Sequence, residues 1–266
     1  MILTEAVKPV LRWAGSKQRL IPALVRAAPK AFNRYFEPFS GSAALFFAMR
    51  PRLATLSDSN RDLINFYIQM RRAPMDMFEV TSSLGQNLDE YLSVRQRFNQ
   101  ESDNFTRACL FYYLNRTCFN GLFRTNKQGG FNVPMGSKLP NWPSVAQFMT
   151  CAHALEGVDL IFSDYESVID RAKHRDFLYV DPPYARGSTR DRGEYGAGAM
   201  GDADLPRLIA SLRRADSRGV LILLSYNSSL RDSFPDWNHA ENGGRYLISA
   251  DPGRRVRMKE YSSSNY

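Results

Sequence analysis

The chain of 266 residues is long enough to bury a large core, either as one α/β domain or as a domain that carries an insertion. Its 35 lysines and arginines exceed its 27 acidic residues by eight, and the resulting pI of about 9.5 favours a polyanionic partner, above all nucleic acid. No long uncharged apolar run and no clean basic amphipathic helix occurs, so a membrane is not expected as a partner.

The cysteines and the first residues indicate the compartment. Cys109, Cys118 and Cys151 are odd in number and show neither a pairing pattern nor zinc spacing, so we expect a reducing compartment and no metal. The N-terminal residues lack the basic-then-apolar pattern of a signal peptide, which predicts a cytoplasmic protein. Nothing in the sequence indicates an obligate protein partner.

The first informative segment is a Gly-Ser-Lys triplet at 15–17, which leads into an apolar, basic helix expected over roughly 18–28. The triplet superficially resembles a phosphate loop, but no earlier glycine stands at the required spacing, so a triphosphate site is not predicted. Trp13 and Lys17 can instead line a cofactor pocket, one by stacking and one by charge. The alternative is a helix cap beside a core tryptophan.

Two strand and helix units follow. A strand at Tyr35–Phe39, a turn of small residues and a helix at Ala43–Met49 form the opening of a Rossmann-like unit. The turn lacks the second and third glycines of a dinucleotide site, so it fits an adenosyl cofactor better. A second strand, Leu53–Ser57, ends at Asp58, which can accept hydrogen bonds from ribose hydroxyls. The alternative is that this segment only caps the next helix, and both roles can hold.

From Arg71 to about Met149 the alternation of strands and helices stops, and apolar residues recur at helical spacing. We predict a helical insertion between two strands of the sheet, with a small core of its own. Within it, residues 115–138 interleave Arg, Asn and Lys with aromatic and apolar residues in a glycine-punctuated, hairpin-like loop. Such a loop suits DNA, because Arg pairs with guanine, Asn contacts adenine or phosphate, and apolar side chains can enter a distorted base stack. The alternative is a solvated loop with a few buried rings.

The stretch from Phe177 to Tyr184 is the most informative one. Four apolar residues are stopped at once by Asp181 and two prolines, which predicts a buried strand that ends in a rigid turn. A carboxylate, backbone carbonyls and an aromatic ring converge there, an arrangement that suits a planar base carrying an amino group. The alternative is an ordinary strand-to-loop exit with a surface aspartate.

The remaining elements continue the α/β pattern. We predict strands at Asp159–Phe162 and Val220–Leu224 and a helix at Leu205–Leu212. A final antiparallel pair is expected at 245–248 and 255–261. The glycine-rich segment 185–201 is either a loop that closes over substrate or a plain connector.

The motifs at Arg12–Lys17, Glu37–Gly41, Ser57–Asn60, 115–136 and Asp181–Tyr184, taken in this order, resemble the Dam-type DNA adenine-N6 methyltransferases. The last motif fits many amino-methyltransferases, whereas the long loop is similar to that of enzymes that act at GATC. The resemblance covers nearly the whole chain.

The resemblance implies an α/β fold, with a Rossmann-like methyltransferase sheet covered by helices on both faces. The catalytic domain, at 1–70 and 150–266, would bind S-adenosylmethionine and release S-adenosylhomocysteine. A target-recognition domain inserted at 71–149 would bind double-stranded DNA through its β-hairpin loop. The setting would be the cytoplasm of a prokaryotic cell or of one infected by a virus.

The resemblance also implies roles for single residues. The cofactor-binding residues would be Trp13, Lys17, Glu37, Phe39, Gly41, Asp58, Asp164, Tyr165 and Asp181. The catalytic residues would be Asp181, Pro182, Pro183 and Tyr184. The DNA-binding residues would be Arg12, Arg116, Phe119, Asn120, Leu122, Arg124, Asn126, Pro134 and Lys138. Among the latter, Arg12 and Arg124 would read guanines, and Phe119 would intercalate near the flipped base.

The chain departs from the family pattern at Ser16, at Ser42–Ala43 and at Ser137, which stands where an arginine is expected. Recognition at the edge of the site would then be weaker or move to Lys138. Other hypotheses remain open: a methyltransferase with a different target sequence, one that acts on cytosine N4 or on RNA, and a non-catalytic regulator that senses the cofactor. An intact Asp181–Tyr184 motif favours an enzyme, and the Arg124 loop favours duplex DNA.

Overall fold

The computed structural model describes residues 7–126, 128–139, 141–183, 203–247 and 257–266, with the backbone alone for 242–247 and 257–259. Within these ranges the strands are β1 (Tyr35–Glu37), β2 (Ala54–Asp58), β3 (Asp159–Phe162), β4 (Phe177–Val180), β5 (Leu221–Tyr226), β6 (Asn238–Leu247) and β7 (Arg257–Ser264). The α-helices are α1 (Ile21–Ala27), α2 (Ala44–Met49), α3 (Arg61–Arg72), α4 (Pro74–Ser82), α5 (Leu88–Gln100), α6 (Asn104–Thr117), α7 (Val145–Ala154), α8 (Tyr165–Ile169) and α9 (Asp204–Ser217).

The strands form a single sheet in the order β3-β2-β1-β4-β5-β7-β6. The first five are parallel, β7 is antiparallel to β5, and β6 is antiparallel to β7. The chain runs outward from β1 to β3 and then returns to β4 on the other side of β1. This reversal opens a crevice beyond the carboxyl ends of β1 and β4, which is where open α/β sheets bind ligands. The predicted α/β class and the final antiparallel pair are confirmed.

Helices cover both faces of the sheet, and β4 shows why its sequence is a continuous apolar run. Phe177 and Tyr179 point into a core shared with α1, α2 and α3. Leu178 and Val180 point to the opposite face, into a second core shared with α8 and α9. Successive side chains of a strand alternate between faces, so a strand buried on both sides must be apolar at every position.

The helices α4 to α7 lie between β2 and β3 in the sequence, as the loss of alternation predicted. The expectation of a separate small core for them is wrong, because their buried residues belong to the same cluster as β1 and α3. Helix α6 is the reason. Its residues Ala108 to Thr117 are all buried, so it must be surrounded by neighbours on every side.

Phe111 on α6 links the two parts. Its ring centroid lies 5.9 Å from that of Phe66 on α3 and 6.4 Å from that of Trp13 near the N-terminus. The same ring lies 5.5 Å from that of Phe123 in the predicted DNA loop. The insertion is therefore packed against the sheet domain through one aromatic cluster.

The bounds of the elements differ in detail from the predictions. Strands β3 and β4 have the predicted ends, whereas β1 ends at Glu37, and α1 begins only at Ile21, where Pro22 stands in its first turn. The segment 185–201 and Tyr184 lie outside the described residues. Among the helices that are described, none has the length and apolar character needed to cross a membrane.

We expect Phe111→Ala to lower the free energy of unfolding by about 3–5 kcal/mol, because the change leaves a cavity where the insertion meets the sheet domain. Urea denaturation followed by tryptophan fluorescence and by far-UV circular dichroism measures this. The matched control is Phe162→Ala on the edge strand β3, which is 56% exposed and should cost less than about 1 kcal/mol. If the parent protein unfolded in two separate steps, this would contradict a core shared by the insertion and the sheet domain.

Candidate active site

A cavity of about 540 Å³ opens where the carboxyl ends of β1, β2 and β4 meet. All the residues predicted to bind the cofactor line it: Trp13, Lys17, Glu37, Phe39, Gly41, Asp58, Asp164, Tyr165 and Asp181. Pro182 and Pro183 line it as well, whereas Tyr184 lies outside the described residues. The fold thus brings together motifs that are far apart in the sequence.

The turn after β1 is held from three sides. Gly41 has a φ of +44°, and a Cβ there would lie 2.7 Å from Cδ1 of Trp13, so only glycine fits. The Gly41 amide donates to Oδ2 of Asp58 at 3.1 Å, and the Tyr67 hydroxyl donates to the Gly41 carbonyl at 2.7 Å. Asn60 caps α3 by accepting from the amides of Asp62 and Leu63, which leaves Asp58 to support the turn.

Two carboxylates, one buried and one partly exposed, form the floor of the cavity. Glu37 is 2% exposed and accepts a 2.8 Å hydrogen bond from the Tyr35 hydroxyl. Burial raises the pKa of Glu37 well above its ordinary value. Burial also raises the pKa of Asp58 to about 6, although hydrogen bonds from the amides of Gly41 and Asn60 oppose this. Such desolvated acids in a cleft are typical of functional sites.

One rim of the cavity is aromatic. The rings of Phe39 and Tyr165 stack with centroids 5.1 Å apart, and the Arg207 guanidinium lies 4.7 Å from the Tyr165 centroid. Asp164 caps α8 by accepting from the Glu166 amide and also accepts from Arg207 Nη2. Sequence reasoning did not find Arg207, because a basic residue on α9 carries no local signal of this contact.

Asp181 lies at the tip of β4 beside a buried lysine. Nζ of Lys17 is 2.9 Å from Oδ1 of Asp181 and 2.8 Å from Oε1 of Glu260 on β7. Burial raises the pKa of Asp181 to about 6, and the Lys17 charge opposes this shift. The Asp181 side chain is still 18% exposed. Glu260 was not predicted, since only the fold brings β7 to this place.

The predicted DNA loop is folded and is held by α5. Isolated bridges pair Cys118 with Met135 and Thr125 with Phe131, which gives the loop its hairpin form. The Asn99 side chain on α5 donates to the Phe131 carbonyl at 3.1 Å and accepts from the Phe131 amide at 2.8 Å. The described residues of the loop therefore have defined hydrogen-bond partners within the fold.

The predicted DNA-binding residues differ in their accessibility. Four of them are exposed, namely Asn120, Asn126, Pro134 and Lys138, and another four are partly exposed, namely Arg12, Phe119, Leu122 and Arg124. The Arg124 Nε donates to the Asn132 side chain at 2.9 Å, which fixes the guanidinium and leaves its two terminal nitrogens for another partner. The Asn126 side-chain oxygen accepts from the amides of Gln128 and Gly130, so it also shapes the loop tip.

Arg116 is the exception and requires a correction. It is 8% exposed, and its Nη1 and Nη2 donate to the carbonyls of Val10 and Asn141. A guanidinium committed to backbone carbonyls in the interior cannot reach a phosphate without breaking these bonds. The structure gives Arg116 a role in joining the N-terminal segment to the end of the DNA loop.

Comparison with known proteins identifies the class. The model of the D12 class N6 adenine-specific DNA methyltransferases matches residues 13–246, and the chain belongs to this family. Type II methyltransferase M1.LlaDCHI of Lactococcus lactis subsp. cremoris is 32% identical over 98% of this chain and 96% of its own. The DNA adenine methylase of Vibrio cholerae serotype O1 is 34% identical over 81% of this chain and 79% of its own. The DNA N-6-adenine-methyltransferase of Escherichia phage P1 is 32% identical over 87% of this chain and 32% of its own.

The protein is therefore an enzyme, a site-specific adenine DNA methyltransferase, as the motifs predicted. Family membership gives it DNA as substrate and S-adenosylmethionine as the methyl donor. The alternatives of a cytosine-N4 or RNA methyltransferase and of a non-catalytic regulator are set aside. Within the ranges that the structure describes, no three His, Cys, Asp or Glu side chains are grouped as a metal site.

The raised pKa of Asp58 makes a prediction about stability. The folded state holds the Asp58 proton more tightly than the unfolded state does, so this group's contribution to stability falls as the pH rises from about 4 to about 6. In Asp58→Asn this loss is absent. We expect the unfolding free energy of the variant, minus that of the parent, to rise by about 2 kcal/mol between about pH 4.5 and about pH 7.5.

Urea denaturation of both proteins across this pH range measures the difference. The lost carboxylate acceptor in Asp58→Asn shifts the difference by a constant and does not change its slope with pH. Asp236→Asn, at an exposed aspartate outside the cavity, is the matched control. A difference that does not vary with pH would contradict the burial cost assigned to Asp58.

Proposed function

We propose that the enzyme transfers a methyl group from S-adenosylmethionine to N6 of an adenine flipped out of duplex DNA, within the sequence GATC. The observation that carries the proposal is the position of Asp181. Its carboxylate is fixed at the tip of a buried strand and borders the same cavity as the predicted cofactor residues. An adenine amine and a methyl donor would therefore meet at this carboxylate.

The residues present fit S-adenosylmethionine. Gly41 lines the cavity and packs against Trp13 without a side chain of its own, and Ser40 Oγ lies buried beside it with no hydrogen-bond partner among the described residues. Buried hydroxyls are normally hydrogen-bonded, so this one favours a polar ligand. The volume of about 540 Å³ lies within the range of small-molecule pockets.

Each part of the cavity suits one part of the cofactor. The Phe39–Tyr165 ring pair offers a stacking face to adenine, and Asp164 offers an acceptor to its amino group. Each Asp58 oxygen already accepts one backbone amide, but a carboxylate oxygen can accept further bonds, here from ribose hydroxyls. The ammonium of the methionine end would compensate the buried charge of Glu37. Lys17 also lines the cavity, but its charge is directed at Asp181 and Glu260.

The chemistry of the target atom defines what Asp181 must do. The N6 lone pair of adenine is delocalised into the ring, so the amine is a poor nucleophile. Hydrogen bonds from N6 to the Asp181 carboxylate and the Pro182 carbonyl turn the lone pair out of the ring plane. Bound S-adenosylmethionine supplies a methyl carbon activated by a sulfonium, so the reaction requires no metal ion.

Transfer then depends on position and charge. The N6 lone pair would form the new N–C bond as the C–S bond of the methyl donor breaks, and the electron pair of the C–S bond would remain on sulfur. Asp181 stabilises the positive charge that develops on N6 and takes up one N6 proton before this proton passes to solvent. Holding the two reactants in line supplies a further part of the acceleration. Tyr184, which follows Pro183 in the sequence, would stack on the flipped base.

The DNA loop supports base flipping and target choice. An adenine inside a duplex cannot reach the cavity, and extrusion costs a few kcal/mol. Phe119 and Leu122 are partly exposed apolar residues on the loop and are suited to fill the gap in the base stack. Arg124, oriented by Asn132, matches the arginine that reads guanine in the family that the sequence resembles. The outer guanine would be read by Arg12, and Lys138 would contact the backbone.

The domain limits of 1–70 with 150–266, and of 71–149, remain our proposal. The recognition part carries the DNA loop and α5, and it packs on the catalytic part through the aromatic cluster around Phe111. Relatives from bacteria and from a phage favour the cytoplasm of a prokaryotic cell as the place of action.

Asp181→Ala should lower kcat by about 10²–10⁴-fold, because both the orientation of N6 and the stabilisation of its charge are lost. Transfer of tritiated methyl groups to a GATC duplex, followed by identification of N6-methyladenine, measures this. Asp76→Ala, at an exposed aspartate outside the cavity, is the control and should match the parent. Turnover by Asp181→Ala comparable to that of the parent would defeat the mechanism.

Arg124→Ala should lower kcat/KM on GATC by about 10–100-fold and reduce the preference over duplexes with a changed guanine, since a bidentate contact supplies about 1–3 kcal/mol of discrimination. Arg52→Ala is the control, because Arg52 is exposed and precedes β2 at the opposite edge of the sheet. The same preference in Arg124→Ala and parent would contradict the assigned role. If the parent transferred methyl groups to GATC and GATC-free duplexes at equal rates, GATC would not be the target sequence, but the proposed role of Asp181 would stand.

A further inference from the structure

We propose that Glu260 on β7 is a positioning residue for methyl transfer, because it anchors Lys17 and through it one carboxylate oxygen of Asp181, leaving the other oxygen for the adenine amine. This inference rests on the proposed role of Asp181. It assigns a task to a residue near the end of the chain that the sequence motifs do not include.

The geometry of the cluster supports the inference. Nζ of Lys17 contacts Oδ1 of Asp181 at 2.9 Å, Oε1 of Glu260 at 2.8 Å and the Gly15 carbonyl at 3.1 Å. These contacts engage the hydrogens of the ammonium, so the group is held in place between the two carboxylates. The side chains of Lys17 and Glu260 are 5% and 3% exposed, whereas that of Asp181 is 18% exposed. Lys17 and Asp181 both line the cavity, and Asp181 is the most exposed member of the cluster.

The position of Glu260 follows from the register of β7. Ser262 pairs with Ser225 on β5, and the Ser225 hydroxyl lies 3.4 Å from that of Tyr179 on β4, which lines the cavity. Residues two apart in a strand share a face, so Glu260 lies on the same face as Ser262 and one step nearer the cavity. The antiparallel return of β7 thus delivers a second carboxylate to Lys17 from a strand two places away from β4, the strand that ends at Asp181.

The charges explain why a second carboxylate is needed. Lys17 and Asp181 alone would form a neutral pair, and a neutral pair stabilises a developing positive charge on N6 only weakly. With Glu260, the formal charges of these three side chains sum to one negative charge, and charges largely closed to solvent act strongly. Lys17 can therefore orient Asp181 without cancelling its charge.

The acid limb of the pH profile reports on this arrangement. Among the described residues, the titratable groups around Asp181 are Lys17 before α1, Tyr35 and Glu37 on β1, Tyr179 on β4, and Glu260 on β7. Of these, Glu260 raises the pKa of Asp181 and Lys17 lowers it. Removing the Glu260 charge must therefore shift the acid limb of kcat/KM, which follows ionisation of the enzyme before DNA binds, to lower pH.

The experiment compares Glu260→Gln with the parent and with Glu156→Gln, an exposed glutamate that serves as control. With full-length protein, saturating cofactor and a GATC duplex, we expect Glu260→Gln to lower kcat by about 10–100-fold. KM should change little, and the acid limb should move to lower pH. If the acid limb of kcat/KM stays at the parent's pH, the inference is overturned, whether or not kcat falls. A lower kcat with an unchanged acid limb would indicate that Glu260 has only a structural role.

A second variant covers the case in which Glu260→Gln does not fold. Lys17→Met combined with Glu260→Gln removes the buried cation together with its partner. The acid limb should then lie above that of the parent, because Lys17 no longer favours the Asp181 carboxylate. A limb at the parent's pH would overturn the inference. If Asp181→Ala retains turnover, the proposed role of Asp181 is wrong, and the role of Glu260 is wrong with it. If Asp181→Ala is inactive but the Glu260 variants behave as the parent, only the role proposed for Glu260 is wrong.

Discussion

The ion cluster of Lys17, Asp181 and Glu260 is the interaction on which the architecture of the site depends. It joins the segment before α1, the tip of β4 and the last strand, which are distant in the sequence. Burying ions costs several kcal/mol each, so this arrangement persists only because each charge has a close partner. Removing one member would leave a buried charge uncompensated. The result is that Asp181 is held at one place at the tip of a rigid strand.

The carboxylates of the site lower the stability of the folded protein. Glu37, Asp58 and Asp181 are carboxylates whose pKa values are raised mainly by burial, so each costs stability when ionised. The two apolar cores on the faces of the sheet offset this cost, together with the aromatic cluster that continues into the insertion. A small or loosely packed domain could not keep three such groups in one cleft.

The sequence was informative wherever a local pattern of residues determines the structure. The limits of β4 follow from an apolar run closed by Asp181 and two prolines, and the cavity residues follow from motifs at strand ends. Long-range partners left no such signal. Arg207, Asn99 and Glu260 act through contacts that exist only after folding, and the burial of Arg116 required the carbonyls of two other segments. Helical spacing predicted a helix here but could not show that its residues Ala108 to Thr117 are all buried, or which neighbours bury them.

The predicted DNA loop and the cavity share a wall. Phe123 and Thr125 of the loop line the cavity, and the Phe123 ring lies nearly parallel to that of Trp13, with centroids 6.3 Å apart. Trp13 in turn packs on Gly41, whose backbone is bound to Asp58. A chain of direct contacts therefore leads from the segment that carries Arg124 to the floor of the cavity. Because close-packed groups transmit small displacements, we expect a shift of this loop to alter the cavity.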